Sequence, residues 1–332
     1  MHSQTLLKPD RVFDGKEMHI NWVVLVKENR IKQIGLLSEI DVPKGTVEID
    51  LSGKTLIPGL IEGHSHMLLH PYNEVSWNDQ VLKESPVERS IRAVNHLTVS
   101  LMAGVTTMRD LGSEGAGYSD VYIKKSIGEH LIIGPRLLVA GPAIVATGAY
   151  GPKGFHDGVK VPLGAEEASG DEVIKTVRRQ LGNGADFIKI YADYRWARGE
   201  SSNPTFSLSE IKTMVETAES AGRYVVAHAS TPEGMRRAVL GGVETIEHGD
   251  GGTLEIFKLM KMNNVALCPT LSAGDAILQY DGWDKERDPE PERISKKKQS
   301  FKWALESGVC LLYTSPSPRD LLSHLVFRLL LE

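Results

Sequence analysis

The sequence predicts an α/β protein built on a (β/α)8 barrel, preceded by a small N-terminal β unit. Three observations predict it: eight short apolar runs of strand length, helix-capping residues before the helical segments between them, and an N-terminal stretch of extended runs separated by polar turns. Parallel strands need helical crossovers and are buried enough to form nearly continuous apolar runs. The alternative is a doubly wound open sheet, but no GxGxxG motif opens a helix after the first strand.

The N-terminal unit covers residues 1–56. Extended runs such as HINWVVLV, RIKQIGLL and GTVEIDL alternate there with polar turns such as KENR and VPKG. This pattern is typical of an antiparallel β unit.

The helices of the barrel are marked by their ends. Ser85 is a predicted N-cap, with Pro86 at the first helical position and Glu88 closing a capping box. The same arrangement recurs at Ser207 with Glu210, at Thr231 with Pro232, and in residues 171–184. The predicted apolar faces are Ile91, Val94 and Leu101 in the first helix, and Ile211, Met214, Val215 and Ala218 in the helix after Ser207.

The predicted strands follow these helices. They cover residues 55–61, 105–108, 136–140, 186–190, 224–227, 243–247, 265–269 and 309–313.

Composition narrows the class of protein. The 332 residues carry a formal net charge of -5, with no clustered Lys/Arg stripe, which argues against nucleic acid or anionic membrane as a partner. The two cysteines, Cys268 and Cys310, cannot form a disulfide framework, so a reducing compartment is favoured. The N-terminus lacks a signal-peptide pattern and no apolar run approaches 18 residues. We therefore expect a cytoplasmic enzyme.

Four of the eleven histidines lie at the ends of predicted strands, where active sites of such barrels are found. His64 and His66 form an HxH pair after the first strand, and His228 and His248 follow the fifth and sixth. Lys189 lies in the fourth strand among apolar neighbours. The two-residue period of a strand points both rings of an HxH pair to the same side.

Each of these residues also has a structural interpretation. A single histidine at a strand end is usually a hydrogen-bonded structural residue, and Lys189 could extend its amine to the barrel mouth. The joint pattern favours a metal site instead, because neutral imidazoles that converge bind Zn²⁺ or a similar ion, and catalytic sites leave a position open for water. A protonated Lys189 would be repelled by the metal, so it must be neutral or carboxylated by CO₂ if it belongs to the site.

The segments IPGLIEGHSH, VTTMRDLG, FIKIYAD, VVAHASTPEGM and TIEHGDGG together resemble the amidohydrolase superfamily, in the branch of Xaa-Pro dipeptidases and imidazolonepropionase-like hydrolases. The resemblance spans residues 1–308. It implies a barrel, residues 57–314, with a small β-sandwich formed from both chain ends, of which residues 1–56 are the N-terminal portion. It also implies two divalent metal ions, with Zn²⁺ expected: His64 and His66 on one, His228 and His248 on the other, and a CO₂-derived carbamate on Lys189 between them.

The resemblance implies a mechanism as well. Metal-activated hydroxide attacks an amide carbon, and an aspartate at the end of the eighth strand moves the proton from that water to the leaving amine. This chain departs from the family at that place, since Pro316 stands there by register and Asp320 lies four residues further on. We therefore expect an incomplete eighth βα unit, a sandwich without its C-terminal half, a non-native tail at 315–332, and little turnover by the chain as written.

Substrate-binding residues are predicted beside the metal site. Arg109 could bind a carboxylate through its bidentate fork, or instead pair with Asp110 or another neighbour. Tyr191 and Tyr194 could line the pocket or simply pack in the core. The glycine-rich segment 146–155 is predicted to be a mobile loop over the site.

Three hypotheses for function remain open from the sequence. The first is hydrolysis of an amide bond in an Xaa-Pro dipeptide or N-acyl amino acid. The second is opening of a cyclic amide or imidazolone ring by the same metals, and the third is a non-catalytic barrel. The expected partner is a small-molecule or dipeptide substrate, without nucleic acid or membrane, and a homo-oligomer is compatible with all three.

Overall fold

A computed structural model describes residues 4–312 of the chain as a mixed α/β structure. The chain divides into two compact units, Met1–Gly59 and Leu60–Glu332. Pro316, Asp320 and the predicted tail 315–332 lie outside the described residues. Within the described part of the chain, no helix has the length and apolarity needed to span a membrane.

The first unit is a five-stranded sheet. Its strands are β1 Gln4–Phe13, β2 Met18–Ile20, β3 Trp22–Lys27, β4 Arg30–Leu36 and β5 Val47–Leu56, with a 3-10 turn at Leu37–Glu39. The order is β2-β1-β3-β4, and β5 pairs with β1. The sheet is mixed, because β5 runs parallel to β1 whereas the other pairs are antiparallel, so the prediction of an antiparallel unit was wrong for this strand. Consecutive residues such as Leu6 and Leu7 belong to different buried clusters, because successive side chains of a strand point to opposite faces of the sheet.

Between residues 60 and 312, the second unit contains eleven strands. They are β6 Leu60–Ser65, β7 Val105–Asp110, β8 Arg136–Val139, β9 Ile144–Val145, β10 Glu166–Glu167, β11 Ile188–Tyr191, β12 Asp193–Tyr194, β13 Asn203–Pro204, β14 Val225–Ala229, β15 Thr245–His248 and β16 Ala266–Cys268. One parallel sheet has the order β6-β7-β8, and a second has the order β10-β9-β11-β14-β15-β16. β12 and β13 form a short antiparallel pair, and Leu267 in β16 makes a parallel bridge to Leu311.

Helices alternate with these strands. They are α1 Trp77–Lys83, α2 Pro86–Met102, α3 Ser119–Gly128, α4 Glu172–Gly182, α5 Leu208–Glu219, α6 Pro232–Gly241, α7 Leu254–Met262, α8 Leu271–Tyr280 and α9 Glu292–Ser307. Parallel strands with helical crossovers between them are the pattern that the apolar runs and caps predicted.

The predicted strand positions overlap the observed ones after the first strand. The first was placed at residues 55–61, but β6 covers Leu60–Ser65, and residues 55 and 56 end β5 of the other unit. The Pro-Gly pair after Leu56 separates two strands that the apolar pattern had merged. The eighth predicted strand is represented among the described residues by the bridge at Leu311.

Three of the predicted N-caps, Ser85, Ser207 and Thr231, are confirmed, whereas Asp171 makes no side-chain cap hydrogen bond at the start of α4. The capping box predicted at Ser85 was wrong, because the Glu88 side chain pairs with Arg92 instead. Ser207 and Glu210 form a reciprocal capping box at the start of α5. The Ser85 hydroxyl accepts a hydrogen bond from the Glu88 N–H at 3.1 Å, and the Thr231 hydroxyl accepts one from the Gly234 N–H at 3.1 Å. These contacts satisfy backbone donors that a helix N-terminus leaves unpaired.

The predicted buried face of α2 was wrong, whereas that of α5 was correct. Ile91 is 66% exposed, and the buried residues of α2 are Arg89, Ala93, Leu97 and Ser100. Arg89 is 1% exposed because its guanidinium donates to the carbonyl oxygens of Leu68, Ser113 and Glu114 at 3.0, 3.1 and 2.7 Å. The buried side of this helix therefore combines hydrogen bonds from Arg89 to loop carbonyls with apolar packing of Ala93 and Leu97.

The buried side chain of Asp120, in the first turn of α3, is expected to make the stability of the fold depend on pH. This side chain is fully buried and accepts from the N–H groups of Val121 and Gly141 at 2.9 and 2.7 Å. Burial raises the pKa of Asp120 from 3.8 to about 6, which at about 1.36 kcal/mol per pKa unit is on the order of 3 kcal/mol. Because the folded state holds this proton more tightly, the stabilisation is present below about pH 4 and is lost as the pH rises through about 6.

Asp120→Asn should remove that dependence. The variant loses one acceptor at every pH, so the informative quantity is the difference in unfolding temperature between parent chain and variant, measured from pH 4 to pH 7.5. We expect the unfolding temperature of the parent chain, measured relative to that of the variant, to fall as the pH rises. A difference that stays constant over this range would contradict the raised pKa.

Candidate metal centre

The four predicted histidines and Lys189 all come from the strands of the second unit. His64 is in β6 and His66 follows it, Lys189 is in β11, His228 is in β14 and His248 ends β15. Because β11, β14 and β15 are parallel neighbours, with His228 beside Tyr191 and His248 beside Ala229, their carboxyl ends lie at one edge of the sheet. His228 and His248 therefore lie on neighbouring strands at the same edge of the sheet.

The four imidazole rings form a continuous cluster. Ring centroids are 5.3 Å apart for His64 and His66, 4.8 Å for His64 and His248, and 4.6 Å for His228 and His248. Burial lowers the pKa of His64 to about 3 and those of His228 and His248 well below their usual value. His64, His228 and His248 are therefore neutral, which is the form that binds metal ions.

Lys189 lies beside this cluster without a hydrogen-bonding partner. It is 1% exposed, and its Nζ makes no hydrogen bond to any residue within 4–312. The amine lies 5.5 Å from the centroid of the Tyr191 ring. Burial lowers the pKa of Lys189 to about 8. An unpaired buried amine is costly, so this position calls for a partner that residues 4–312 do not supply.

Glu247 is a functional candidate that the sequence analysis missed. It is fully buried, and its Oε2 lies 2.8 Å from His64 Nδ1. Its Oε1 accepts from Arg109 Nη2 at 2.6 Å and from the Thr245 hydroxyl at 2.5 Å. Burial by itself would raise the pKa of Glu247, but Arg109 and His64 hold it well below the usual range. The available signal was a carboxylate inside the apolar strand TIEH, the same kind of signal that identified Lys189.

Arg109 is occupied by protein contacts. It is 7% exposed, and besides the bond to Glu247 it donates from Nε to the Gly63 carbonyl at 2.7 Å and from Nη1 to the Thr245 hydroxyl at 3.3 Å. This is the ion pair that the alternative interpretation anticipated, with Glu247 instead of Asp110 as the partner. Its binding of a substrate carboxylate remains only a prediction.

His66 and His228 each have one ring nitrogen near a fixed oxygen. His66 Nδ1 lies 3.0 Å from the Gly112 carbonyl, and His228 Nε2 lies 3.6 Å from Asp193 Oδ1. Asp193 is itself held by the N–H groups of Ser230 and Thr231. The contact at 3.0 Å orients the His66 ring from behind, whereas Asp193 lies near the His228 ring at a distance longer than a hydrogen bond.

His248 is held in a strained backbone conformation. Its φ is +75°, in the left-handed region that non-glycine residues rarely adopt. His248 Nδ1 lies 2.8 Å from the Thr270 hydroxyl, and Lys297 Nζ donates to the His248 carbonyl at 2.8 Å. Residues with such backbone strain are frequent at functional sites.

Aromatic side chains flank His228. The Tyr191 ring stacks on the His228 ring with centroids 4.7 Å apart, and Tyr194 is 6.2 Å away at its edge. Tyr150, from the predicted loop 146–155, contacts both tyrosines. Glu114, a buried carboxylate also missed from sequence, accepts from the hydroxyls of Tyr150 and Tyr191 at 3.1 and 3.3 Å. Tyr191 and Tyr194 therefore pack together and also border the histidine cluster.

A second group of potential ligand atoms overlaps the cluster. One side-chain atom each from His64, Glu247 and Cys268 lie within 4.8 Å of one another. The Glu247 oxygens already accept from three donors, and burial raises the pKa of the Cys268 thiol, so it resists conversion to the thiolate that binds metals. The histidines and Lys189 therefore remain the predicted ligands.

Comparison with known proteins places this arrangement in context. The sequence model described as "Amidohydrolase family" matches residues 55–315. An ochratoxinase from Aspergillus niger is 28% identical over 293 residues, which cover 81% of this chain and 58% of that protein. The chain thus spans little more than half the length of that relative.

Solved structures of two relatives are also similar. A Xaa-Pro dipeptidase with bound methionine in its active site is 28% identical with a TM-score of 0.80, covering 95% of this chain and 80% of the other. A prolidase complexed with N-methylphosphonate-L-proline is 29% identical with a TM-score of 0.79, covering 94% and 78%.

Proposed function

This chain belongs to the amidohydrolase family, and we propose that it binds two divalent metal ions and hydrolyses an amide bond in an Xaa-Pro dipeptide or a related N-acyl amino acid. The observation that carries the proposal is the cluster of four imidazoles beside the buried amine of Lys189, which makes no hydrogen bond to any residue within 4–312. The second unit would be a (β/α)8 barrel, and zinc is the expected metal because imidazole suits it.

Hydrogen bonds between the two sheets of the second unit support the barrel. The Asp186 N–H donates to the Val139 carbonyl at 2.8 Å, which joins the end of β8 to the chain just before β11. On the other side, the Leu312 N–H donates to the Leu267 carbonyl at 2.8 Å, and a Cβ built on Gly63 of β6 would lie 3.2 Å from the Leu312 side chain. These contacts connect β8 to the start of β11, and β16 through Leu312 to β6, which is consistent with a closed barrel.

The residues present fit a pair of metal ions. His64 and His66 would hold one ion, and His228 and His248 the other. Addition of CO₂ to the neutral amine of Lys189 would form a C–N bond, release a proton and leave an anionic carbamate for both ions. Lys189 Nζ suits this reaction because it is buried, has its pKa lowered to about 8 and makes no competing hydrogen bond among the described residues.

When bound, divalent ions supply an activated water and polarise a carbonyl group. The protein's own part is to hold the rings in place, through Glu247 behind His64 and Thr270 behind His248. Tyr191 and Tyr194 offer an apolar surface beside His228 on which an amino-acid side chain or a proline ring could pack.

A phosphonate ligand tests the proposal without requiring turnover, which matters because Pro316 stands where the resemblance expects the aspartate. N-methylphosphonate-L-proline, the compound bound by the similar prolidase, should bind saturably to the chain loaded with two zinc equivalents in bicarbonate buffer. Calorimetry with L-proline as control ligand measures this. His228→Asn should weaken binding by more than about 10-fold, since it removes one proposed ligand.

Two outcomes would count against this function. The proposed site is wrong if the zinc-loaded chain does not bind the phosphonate. It is also wrong if the phosphonate binds the His228→Asn variant as tightly as it binds the parent chain. A cyclic amide that binds in preference to the phosphonate would favour the ring-opening hypothesis instead.

A further inference from the structure

We infer that Glu247 and Arg109 form a buried pair that fixes His64 in the tautomer protonated on Nδ1, so that Nε2 is presented to the metal. This inference rests on the proposed metal site and deepens it. It also gives Arg109 a positioning role, in place of the substrate contact that its sequence context suggested.

The Glu247 carboxylate accepts hydrogen bonds from side chains of three residues. Its two oxygens receive three donors: His64 Nδ1 at 2.8 Å on Oε2, and Arg109 Nη2 and the Thr245 hydroxyl at 2.6 and 2.5 Å on Oε1. Glu247 has no exposed surface, so water does not compete for these positions. A carboxylate beside a guanidinium is ionised and is an acceptor only. The proton in the bond to His64 must therefore be on Nδ1.

The remaining ring nitrogen of His64 is Nε2. A neutral imidazole carries one proton, so protonation of Nδ1 leaves Nε2 of His64 as the unprotonated nitrogen that can bind a metal. The His66 ring follows the same rule, since its Nδ1 lies 3.0 Å from the Gly112 carbonyl, which can only accept. Both members of the HxH pair thus present the same ring nitrogen.

Arg109 holds both the backbone before His64 and the carboxylate of Glu247. Its guanidinium joins β6 to β15, donating to the Gly63 carbonyl at 2.7 Å and to Glu247 at 2.6 Å. Gly63 directly precedes His64, so a single side chain holds both the backbone next to His64 and the carboxylate that orients its ring. These two strands belong to different hydrogen-bonded sheets, and among the described residues no backbone ladder joins them directly.

Nitrogen-15 NMR of the metal-free protein tests the tautomer directly. The parent chain should show His64 with Nδ1 protonated and Nε2 unprotonated, with the signal assigned by its loss in His64→Asn. In Glu247→Gln the amide can either accept or donate, so we expect a mixture of the two tautomers. Asp120→Asn is the matched control, because it also removes a buried carboxylate but its partners are backbone N–H groups.

Zinc affinity provides the second measurement. Loss of an outer-sphere partner of a ligating histidine typically weakens metal binding by about 10- to 100-fold, and we expect this loss in Glu247→Gln and none in Asp120→Asn. If Glu247→Gln keeps both the Nδ1 tautomer and the parent affinity, the inference is overturned while the metal site stands. If the variant keeps the tautomer but loses one ion entirely, Glu247 is a ligand and the inference is also overturned. Failure of the parent chain to bind zinc would instead refute the proposed function, and the NMR result would still decide the tautomer.

Discussion

Replacing Lys189 by methionine is expected to abolish tight binding of both metal ions while leaving the metal-free protein at least as stable as the parent chain. The two effects have opposite signs because Lys189 Nζ is buried and unpaired among residues 4–312. Methionine has a similar length and no polar group, so it removes the cost of an unsatisfied buried amine, about 1 kcal/mol or more. It also removes the carbamate proposed to bind both ions.

The measurements are zinc titration in bicarbonate buffer and thermal unfolding with and without zinc. We expect zinc affinity to fall by more than about 100-fold, beyond the effect of losing an outer-sphere partner. ¹³C-labelled bicarbonate should give a carbamate signal in the parent chain and none in the variant. Lys124→Met is the control, since Lys124 pairs with Asp186 away from the histidines.

Either of two results would refute this expectation. Retention of two tightly bound ions in Lys189→Met would exclude a bridging role for this lysine. A metal-free variant much less stable than the parent would mean that the amine is satisfied in the folded protein.

Replacing Arg109 by methionine is expected to destabilise the fold by about 3 to 5 kcal/mol, the usual cost of removing one partner of a buried ion pair. The Glu247 carboxylate has no exposed surface and would lose the guanidinium 2.6 Å away, and the Gly63 carbonyl would lose its donor. Chemical denaturation of the metal-free protein measures the change.

Two further variants separate this cause from a general loss of packing. The double variant Arg109→Met and Glu247→Met should recover most of the stability, because it removes both charges together. Arg236→Met, which breaks a partly exposed ion pair with Glu233, should have little measurable effect. A double variant that is less stable than Arg109→Met would contradict the ion-pair explanation.

Local signals in the sequence identified the helix starts and most of the strands. Ser207 and Glu210 lie within one helical turn, so their capping box depends on short-range geometry alone. The first strand was misplaced because the apolar run from residue 55 onwards continues across the boundary between the two units, and hydrophobicity alone does not show where one strand ends and another begins.

The orientation of α2 required tertiary information. Ile91 and Val94 suggested an apolar face, but the buried side carries Ala93 and Leu97 in the apolar core. It also carries Arg89, which donates to three carbonyl oxygens in loops 21 to 25 residues away in the sequence. Periodicity identifies which residues share a helix face, and it does not reveal that a charged side chain will find acceptors inside the fold.

The sequence by itself determined which residues are candidates for the metal centre, because each is a polar residue within or directly after an apolar strand. They are His64, His66, Lys189, His228 and His248. Only the tertiary structure decided which ring nitrogen each histidine has near a partner, and that Arg109 faces Glu247 across 138 residues of sequence. The physical reason is the sequence distance between the interacting residues. The two-residue period of a strand depends on neighbouring residues, whereas a buried charge meets its partner only when separate strands pack together.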